Sequence, residues 1–418
     1  MKKKLLFIES NTTGTGMLAL QKTKELGYDP VLFTNDPTRY QGLSDQACEV
    51  VVCDTNQPDG LQDSIKSRFS TEEIAGVTTT SEYYIYTVAL LAEHFGWDGN
   101  PPATMKSCRN KAAVRTLLQG LPELYQPWFF PVDSLQEAEE KKGQLHFPCI
   151  VKPVDDSGSN QVVVCRSYEE LRQRVKEILA VKQNVRQQPA AQVALVEEYV
   201  EGPEYSVEVF SYNGEHSIIG ITDKSTGGEP YFIETGHIFP SLSTNELREI
   251  VEAGVLALLD KLKWRFGPCH LEIKIVDQKV FLVECNGRLA GGMIPELIRY
   301  ATGMDVLKEQ LKAAVGLSPD LSSRPFQYAG IRFLIPKEAG EIREVTGLEQ
   351  LKQLPGVKEV VCRAQLGQVV PRVVNAYGRL GYMIAVAADE KELRHLLNQI
   401  DVVDIGMKER VTFAELSE

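Results

Sequence analysis

The sequence predicts an α/β domain, then an α+β domain with a hairpin lid, then a small α+β domain at the C-terminus. Three observations carry that reading. Short apolar runs alternate with helical patterns over the first hundred residues, which indicates a parallel sheet. The middle of the chain instead pairs apolar runs through short polar turns, as antiparallel strands do. A Ser- and Pro-rich stretch from Leu317 to Arg324 then sets off a tail with short strands of its own. The predicted boundaries are 1–103, 104–318 and 319–418, with the lid over about 147–205.

In the first domain, Leu5-Leu6-Phe7-Ile8 reads as a buried strand. A helical pattern through Leu18, Leu20 and Leu26 follows and is stopped by Gly27. Pro30 to Thr34, Val50 to Cys53 and Ile74 to Val77 supply further strands. The turn Gly14-Thr-Gly16 lacks the third glycine of a dinucleotide fingerprint, so a tight strand-to-helix turn is the better reading. Asn100-Pro101-Pro102 marks a linker, and a helix from about Thr104 carries Arg109-Asn110-Lys111.

Phe147 to Pro153 is a strand that runs into the small-residue loop Asp155 to Gln161 and returns as Val162 to Cys165, a hairpin lid. A helix is expected from Tyr168 to about Lys182, and a polar connector from Asn184 to Gln192. Ala194 to Val200 is a strand turned by Glu201-Gly202-Pro203. Tyr205 to Phe210 and Ser217 to Ile221 flank the turn Asn213-Gly214. A long helix is expected from Thr244 to Lys263, then a hairpin from Cys269–Val276 and Val280–Cys285. Two helices, Met293–Tyr300 and Met304–Ala314, close the domain. The tail carries strands at Tyr328–Ile335, Val357–Arg363 and Gly381–Ala387.

Bulk properties narrow the function. With 418 residues and a net charge of −12, the chain does not attract nucleic-acid backbones by its overall field. The eight cysteines contain no C-x-x-C pair and sit mostly in apolar runs, as small buried thiols do in a reducing cytoplasm. The six histidines contain no H-x-x-x-H, which argues against zinc. After Met-Lys-Lys-Lys only four apolar residues precede Glu9, too few for a signal peptide, and no run reaches membrane-span length. A cytoplasmic location without membrane partners is expected.

Three groups of residues carry candidate chemistry. In the first, Ser157, Gly158 and Ser159 lie in the lid loop, where a small-residue turn lets backbone N–H groups approach phosphate oxygens. Lys152, just before it, can add a point charge. The second is the acidic strand end Glu197-Glu198-Tyr199-Val200 to Glu204, which can pair with an adenine edge through its backbone and with ribose hydroxyls through Glu204. The third is the late hairpin, where Glu272 and Glu284 sit inside apolar strands. Two carboxylates brought together there would repel unless a cation lay between them, and oxygen-only ligands point to Mg²⁺. A plain two-residue turn would pair Glu272 with Val283 and separate the carboxylates. The metal reading therefore requires an odd-length loop or a bulge. Arg288, on the same segment, suits a phosphate or a carboxylate.

Taken together and in this order, the lysine–hairpin, E-E-Y-V-E-G-x-E and E…E-x-N-x-R segments resemble the ATP-grasp superfamily over about residues 104 to 315. The resemblance implies an α/β N-terminal domain, an α+β ATP-grasp domain with a hairpin lid and a small α+β C-terminal domain. It implies that Lys111 and Lys152 bind ATP phosphates and that Glu197, Glu198, Val200 and Glu204 line the adenosine. Glu272, Glu284 and Asn286 would hold Mg²⁺, with Mn²⁺ as a substitute, and Arg288 would touch the transferred phosphate.

The stretch Glu234-Thr-Gly-His237-Ile-Phe-Pro240 resembles one beside the substrate pocket of amino-acid ligases that make dipeptides, which implies substrate roles for Glu234 and His237. Asn286 is closer to the pattern of carboxylases and nucleotide-biosynthesis ligases. The implied reaction is ATP-dependent joining of a carboxylate to an amine through an acyl phosphate. In it Lys152 draws charge from the phosphates, and Arg288 with the N–H groups of Gly291 and Gly292 stabilises the oxyanion. Both substrates would be small molecules, and the assembly a homodimer. The alternatives are a bicarbonate-using carboxylase, a ligase that loads a carrier protein or natural-product intermediate, and a non-catalytic nucleotide-binding regulator.

Overall fold

A computed structural model of the chain describes residues 2–12, 15–227, 231–241, 245–322 and 324–408. Four parallel strands form the N-terminal sheet, in the spatial order Glu49–Val52, Asp29–Thr34, Lys4–Ile8, Ile74–Thr78. Leu6, Ile8, Val31 and Phe33 are fully buried, as expected of strands with both faces covered. The first helix, Thr15–Glu25, follows at once. Its Gly16 is required by packing, since a Cβ there would lie 1.8 Å from the Asn11 carbonyl oxygen. Gly14 lies outside the described residues, as does Thr244 at the expected start of the long helix, which is described over Asn245–Leu262.

The single helix expected from Thr104 is two, Pro102–Cys108 and Lys111–Leu118. Asn110 causes the break: it leaves helical geometry, and its side chain accepts a hydrogen bond from the Ala113 N–H, capping the second helix. Lys111 consequently becomes the first residue of a helix.

The lid is its own four-stranded sheet, ordered Phe129–Val132, Ala194–Glu198, Cys149–Pro153, Val163–Cys165. The helix Tyr168–Ala180, capped by Ser167, covers it through Leu171, Val175 and Ile178. The largest sheet is antiparallel and eight-stranded, in the order Lys279–Asn286, Gly267–Val276, Glu204–Tyr212, Glu215–Thr226, Glu234–Phe239, Tyr328–Leu334, Gly381–Ala387, Val357–Cys362. It runs without interruption across the expected division at 318/319, because Tyr328–Leu334 pairs directly with Glu234–Phe239. Two C-terminal strands without an apolar run, Gly340–Thr346 and Asp404–Lys408, form a separate small sheet with Val369–Val370. Among the described residues no helix is long and apolar enough to cross a membrane, and all eight cysteines are free thiols.

Candidate active site

A cavity lies between the lid sheet and the end of the large sheet. Lys152 projects into it from the lid strand, at 4% exposure. A buried ammonium must be paired, and its partner is Glu197, which also accepts from Arg115 Nε at 2.9 Å. Burial alone would raise the Glu197 carboxyl, but the two cations hold it below the usual carboxylate range. Burial pulls Lys152 below the ordinary lysine value despite Glu197. Glu197 lines the cavity yet is committed to two cations, so its direct task is to position Lys152 and Arg115. Glu198, Val200 and Glu204 also line the cavity. Tyr125 Oη donates to Glu198 at 2.7 Å, and the Val200 carbonyl accepts from Lys274 at 2.8 Å.

The hairpin Gly267–Val276 and Lys279–Asn286 forms the floor. Its turn is the two-residue Asp277-Gln278, both at positive φ (47° and 59°). That turn alone would set Glu272 against Val283, but a bulge intervenes: the register steps from Ile273↔Leu282 to Glu272↔Glu284. The two carboxylates are therefore directly opposed, and both border the cavity. The bulged Val283 turns its carbonyl to Arg115 Nη2, 3.2 Å away, and to Lys152 Nζ at 3.5 Å. Asn286 lies two residues beyond Glu284 and is buried.

Lysines neutralise this acidic floor. Lys111 reaches Glu284 at 2.9 Å and the lid carbonyl of Asp156 at 2.6 Å. Lys224 meets Glu204, Glu234 and Glu272 at 2.7, 3.0 and 2.8 Å. Burial would lower Lys224, but its three carboxylates raise it well above the lysine range. Burial raises Glu204, whereas Glu272 is held well below the usual range by Lys224 and by His270. Behind Glu272, His270 Nδ1 contacts Glu208 at 2.9 Å and Nε2 contacts Glu272 at 3.3 Å. Burial disfavours the imidazolium, but those carboxylates push His270 up to about 9.

A second cavity opens beyond the lid tip, and Ser157 borders both. Ser159 lines the first, and Gly158 the second, where a Cβ added to Gly158 would lie 3.4 Å from the ring of Tyr377. Arg288, Gly291 and Gly292 line the second. Arg288 Nε contacts the buried Glu82 at 3.1 Å, and Nη1 donates to the Leu289 carbonyl. Gly292 (φ 58°) admits no side chain, because a Cβ would lie 2.7 Å from His237 Nε2.

His237, for which the resemblance implied a substrate role, sits beneath the glycine turn and borders neither cavity. Burial drives it down to about 4, so it is neutral at physiological pH. Glu234 borders the first cavity and bridges Lys224 to Arg379, the latter at 2.6 Å.

The donor set suits a hard divalent cation. Two opposed carboxylates and a nearby amide supply only oxygen ligands, which leaves positions for phosphate oxygens and water, as Mg²⁺ prefers. Among the described residues no three His, Cys, Asp or Glu side chains already converge as a closed cage.

Sequence reading missed Arg115 and Lys224, the buried cations on which the carboxylates depend. Arg115 follows Lys111 by four residues on one helical face, and that spacing was the available signal. Lys224 lies in an unremarkable polar strand, Thr222-Asp-Lys-Ser.

The model of the family described as ATP-grasp domain matches residues 145–296, and that described as L-amino acid ligase C-terminal domain 2 matches residues 332–401. An uncharacterised protein of Sinorhizobium fredii is 30% identical over 389 residues, covering 93% of this chain and 79% of that one. An L-arginine-specific L-amino acid ligase of Bacillus subtilis is 26% identical over 331 residues, 77% of each chain. The crystal structure of an L-amino acid ligase from Bacillus licheniformis superimposes with a TM-score of 0.81 at 22% identity, covering 98% of this chain and 99% of that one.

Proposed function

We propose, because the chain belongs to the ATP-grasp family of carboxylate–amine ligases, that it joins an amino acid to a second amine-bearing small molecule as an amide, releasing ADP and phosphate. The observation that carries this reading is the bulged floor hairpin, which opposes Glu272 and Glu284 in a cavity that meets a second, arginine-lined one at Ser157. The first cavity has the lysines and carboxylates a nucleotide requires. The second presents arginines beyond the lid tip.

ATP lies in the first cavity with its phosphates against Lys111, Lys152 and the lid loop. Glu272, Glu284 and Asn286 would hold Mg²⁺, which when bound would supply charge neutralisation at the phosphates. A substrate carboxylate oxygen attacks the γ-phosphorus, and the phosphorus–oxygen bond to ADP breaks. The amine nitrogen then attacks the acyl carbon, phosphate departs with the former carboxylate oxygen, and the amine proton passes to solvent or phosphate. Arg288 and the N–H groups of Gly291 and Gly292 meet the charge that develops on the acyl oxygen. The lid excludes water, which would otherwise hydrolyse the acyl phosphate.

Incubating the chain with ATP, Mg²⁺ and pairs of amino acids, and following ADP and product mass, tests this. An amide formed in step with ADP supports it. Release of AMP, or ADP release that requires bicarbonate and no amino acid, contradicts it; the bicarbonate result would favour the carboxylase reading.

A further inference from the structure

We propose that the second cavity recognises a substrate bearing an extra anionic group, a carboxylate or phosphate remote from the reacting atoms, and that Arg186 is its principal anchor. The inference rests on the ligase reading and specifies the substrate class for it.

The cavity lies where an open parallel sheet binds ligands. Asn11 and Thr12 follow the strand Lys4–Ile8, Ser81 and Tyr83 follow Ile74–Thr78, and all four line the cavity. Those two strands are neighbours at the point where the strand order reverses, so their carboxyl ends diverge and leave a crevice.

Arg186 is brought to that crevice by the connector between the lid helix and the strand Ala194–Glu198. The Asn184 side chain accepts from the N–H groups of Arg186 and Gln188 at 2.8 and 3.1 Å, which shapes the loop. Asn56 donates to the Arg186 carbonyl at 3.1 Å, and Gln188 donates to the Tyr83 carbonyl at 3.2 Å, which fixes the loop on the N-terminal domain.

The guanidinium so placed is 7% exposed. Nη2 donates to the Ser10 carbonyl at 2.8 Å, and Nη1 has no hydrogen-bond partner. Among the described residues no carboxylate pairs with it. The nearby Glu9 is committed to Thr34, Asn35, Tyr40 and Thr55. A buried, incompletely paired cation is costly, and a ligand anion that accepts two parallel hydrogen bonds removes the cost.

The surroundings agree. Arg39, Arg186, Arg288, Arg363 and Arg379 line the cavity in a chain whose net charge is −12; Asp36, Glu82 and Glu234 pair with Arg39, Arg288 and Arg379, so Arg186 and Arg363 remain without a carboxylate among the described residues. Glu82 is shared by Arg288 and Arg109. Such a local reversal of sign selects anions and repels cationic side chains.

Calorimetric titration of the full chain with Mg²⁺ and ADP tests the proposal without needing turnover. L-aspartate, L-glutamate and O-phospho-L-serine are compared with L-asparagine, L-glutamine and L-serine, and inorganic phosphate serves as competitor. At least one acidic ligand should bind about tenfold or more tighter than its neutral counterpart, and phosphate should compete with it. Preference for aspartate or glutamate identifies a carboxylate subsite, and preference for phosphoserine a phosphate subsite. Arg186→Gln should erase the preference and leave ADP affinity unchanged. Equal binding of acidic and neutral ligands, or a preference that survives Arg186→Gln, overturns the proposal. Should the variant not fold, the wild-type preference and phosphate competition decide, and their joint absence overturns it. Failure of the ligase reading shows separately, as no ADP release with any amino-acid pair.

Discussion

Glu272 and Glu284 face each other on adjacent strands, with Lys224 on one and Lys111 on the other. On the proposed reading, Lys111 would turn to the phosphates once a cation neutralises Glu284. Replacing Glu284 with alanine would remove one proposed cation ligand and free Lys111. ADP release should fall by about 100-fold or more, since a catalytic metal contributes several kcal/mol to the barrier, and a steady-state ADP assay checks it.

A second residue-scale prediction concerns His270, held at about 9 by Glu208 and Glu272 although burial disfavours its charge. Its folded value exceeds the unfolded one of about 6.5, so the stabilisation is fully present below pH 6.5 and is lost as pH rises through 9. Denaturant unfolding of Glu208→Gln against wild type should show a deficit of up to about 3 kcal/mol at pH 6 that shrinks by pH 10.

The acidic residues were legible because a carboxylate in an apolar strand demands a reason. Lys224 and Arg186 were not, since a cation in a polar segment is ordinary until the fold buries it.

At the scale of elements, the floor hairpin shows how one extra residue sets a site. Its turn positions have the twist of a tight hairpin but neither is glycine, and Gln278 sits at φ 59°. Gln278→Gly should relieve that strain and raise stability by about 1 kcal/mol, seen as a higher Tm. The sequence left odd loop and bulge both open, and the choice depended on Val283, whose carbonyl is better used by Arg115 and Lys152 than by the ladder.

The lid tip carries its own prediction. Gly158 and Tyr377 line the same cavity, and Asp156 accepts from Tyr83, so the tip bonds to the N-terminal domain and borders the C-terminal one. Tyr377→Ala should loosen closure and admit water. The ratio of phosphate released to amide formed should rise severalfold, whereas tight coupling would show that this residue does not matter. The lid was readable from two apolar runs around a small-residue loop. The connector that follows looked like a solvated link, because only the hydrogen bonds of Asn184, Arg186 and Gln188 reveal its role.

At the scale of the molecule, one eight-stranded sheet joins the middle and C-terminal parts. Domain order was legible from the alternation of patterns and the Ser- and Pro-rich link, but strand partners far apart in sequence leave no local trace. Pairing of Glu234–Phe239 with Tyr328–Leu334 implies that residues 1–318 alone expose a long sheet edge. That fragment should aggregate or lose cooperative thermal unfolding. It would also lack Arg363 and Arg379, which complete the second cavity.

In the proposed reaction a substrate carboxylate becomes an acyl phosphate before the amide forms. Supplying the carboxyl-bearing substrate with ¹⁸O in its carboxylate, and analysing the released phosphate by mass spectrometry, tests it directly. Each phosphate formed with the amide should carry one ¹⁸O atom. Phosphate free of label, with the isotope retained in the amide or transferred to AMP, would contradict it.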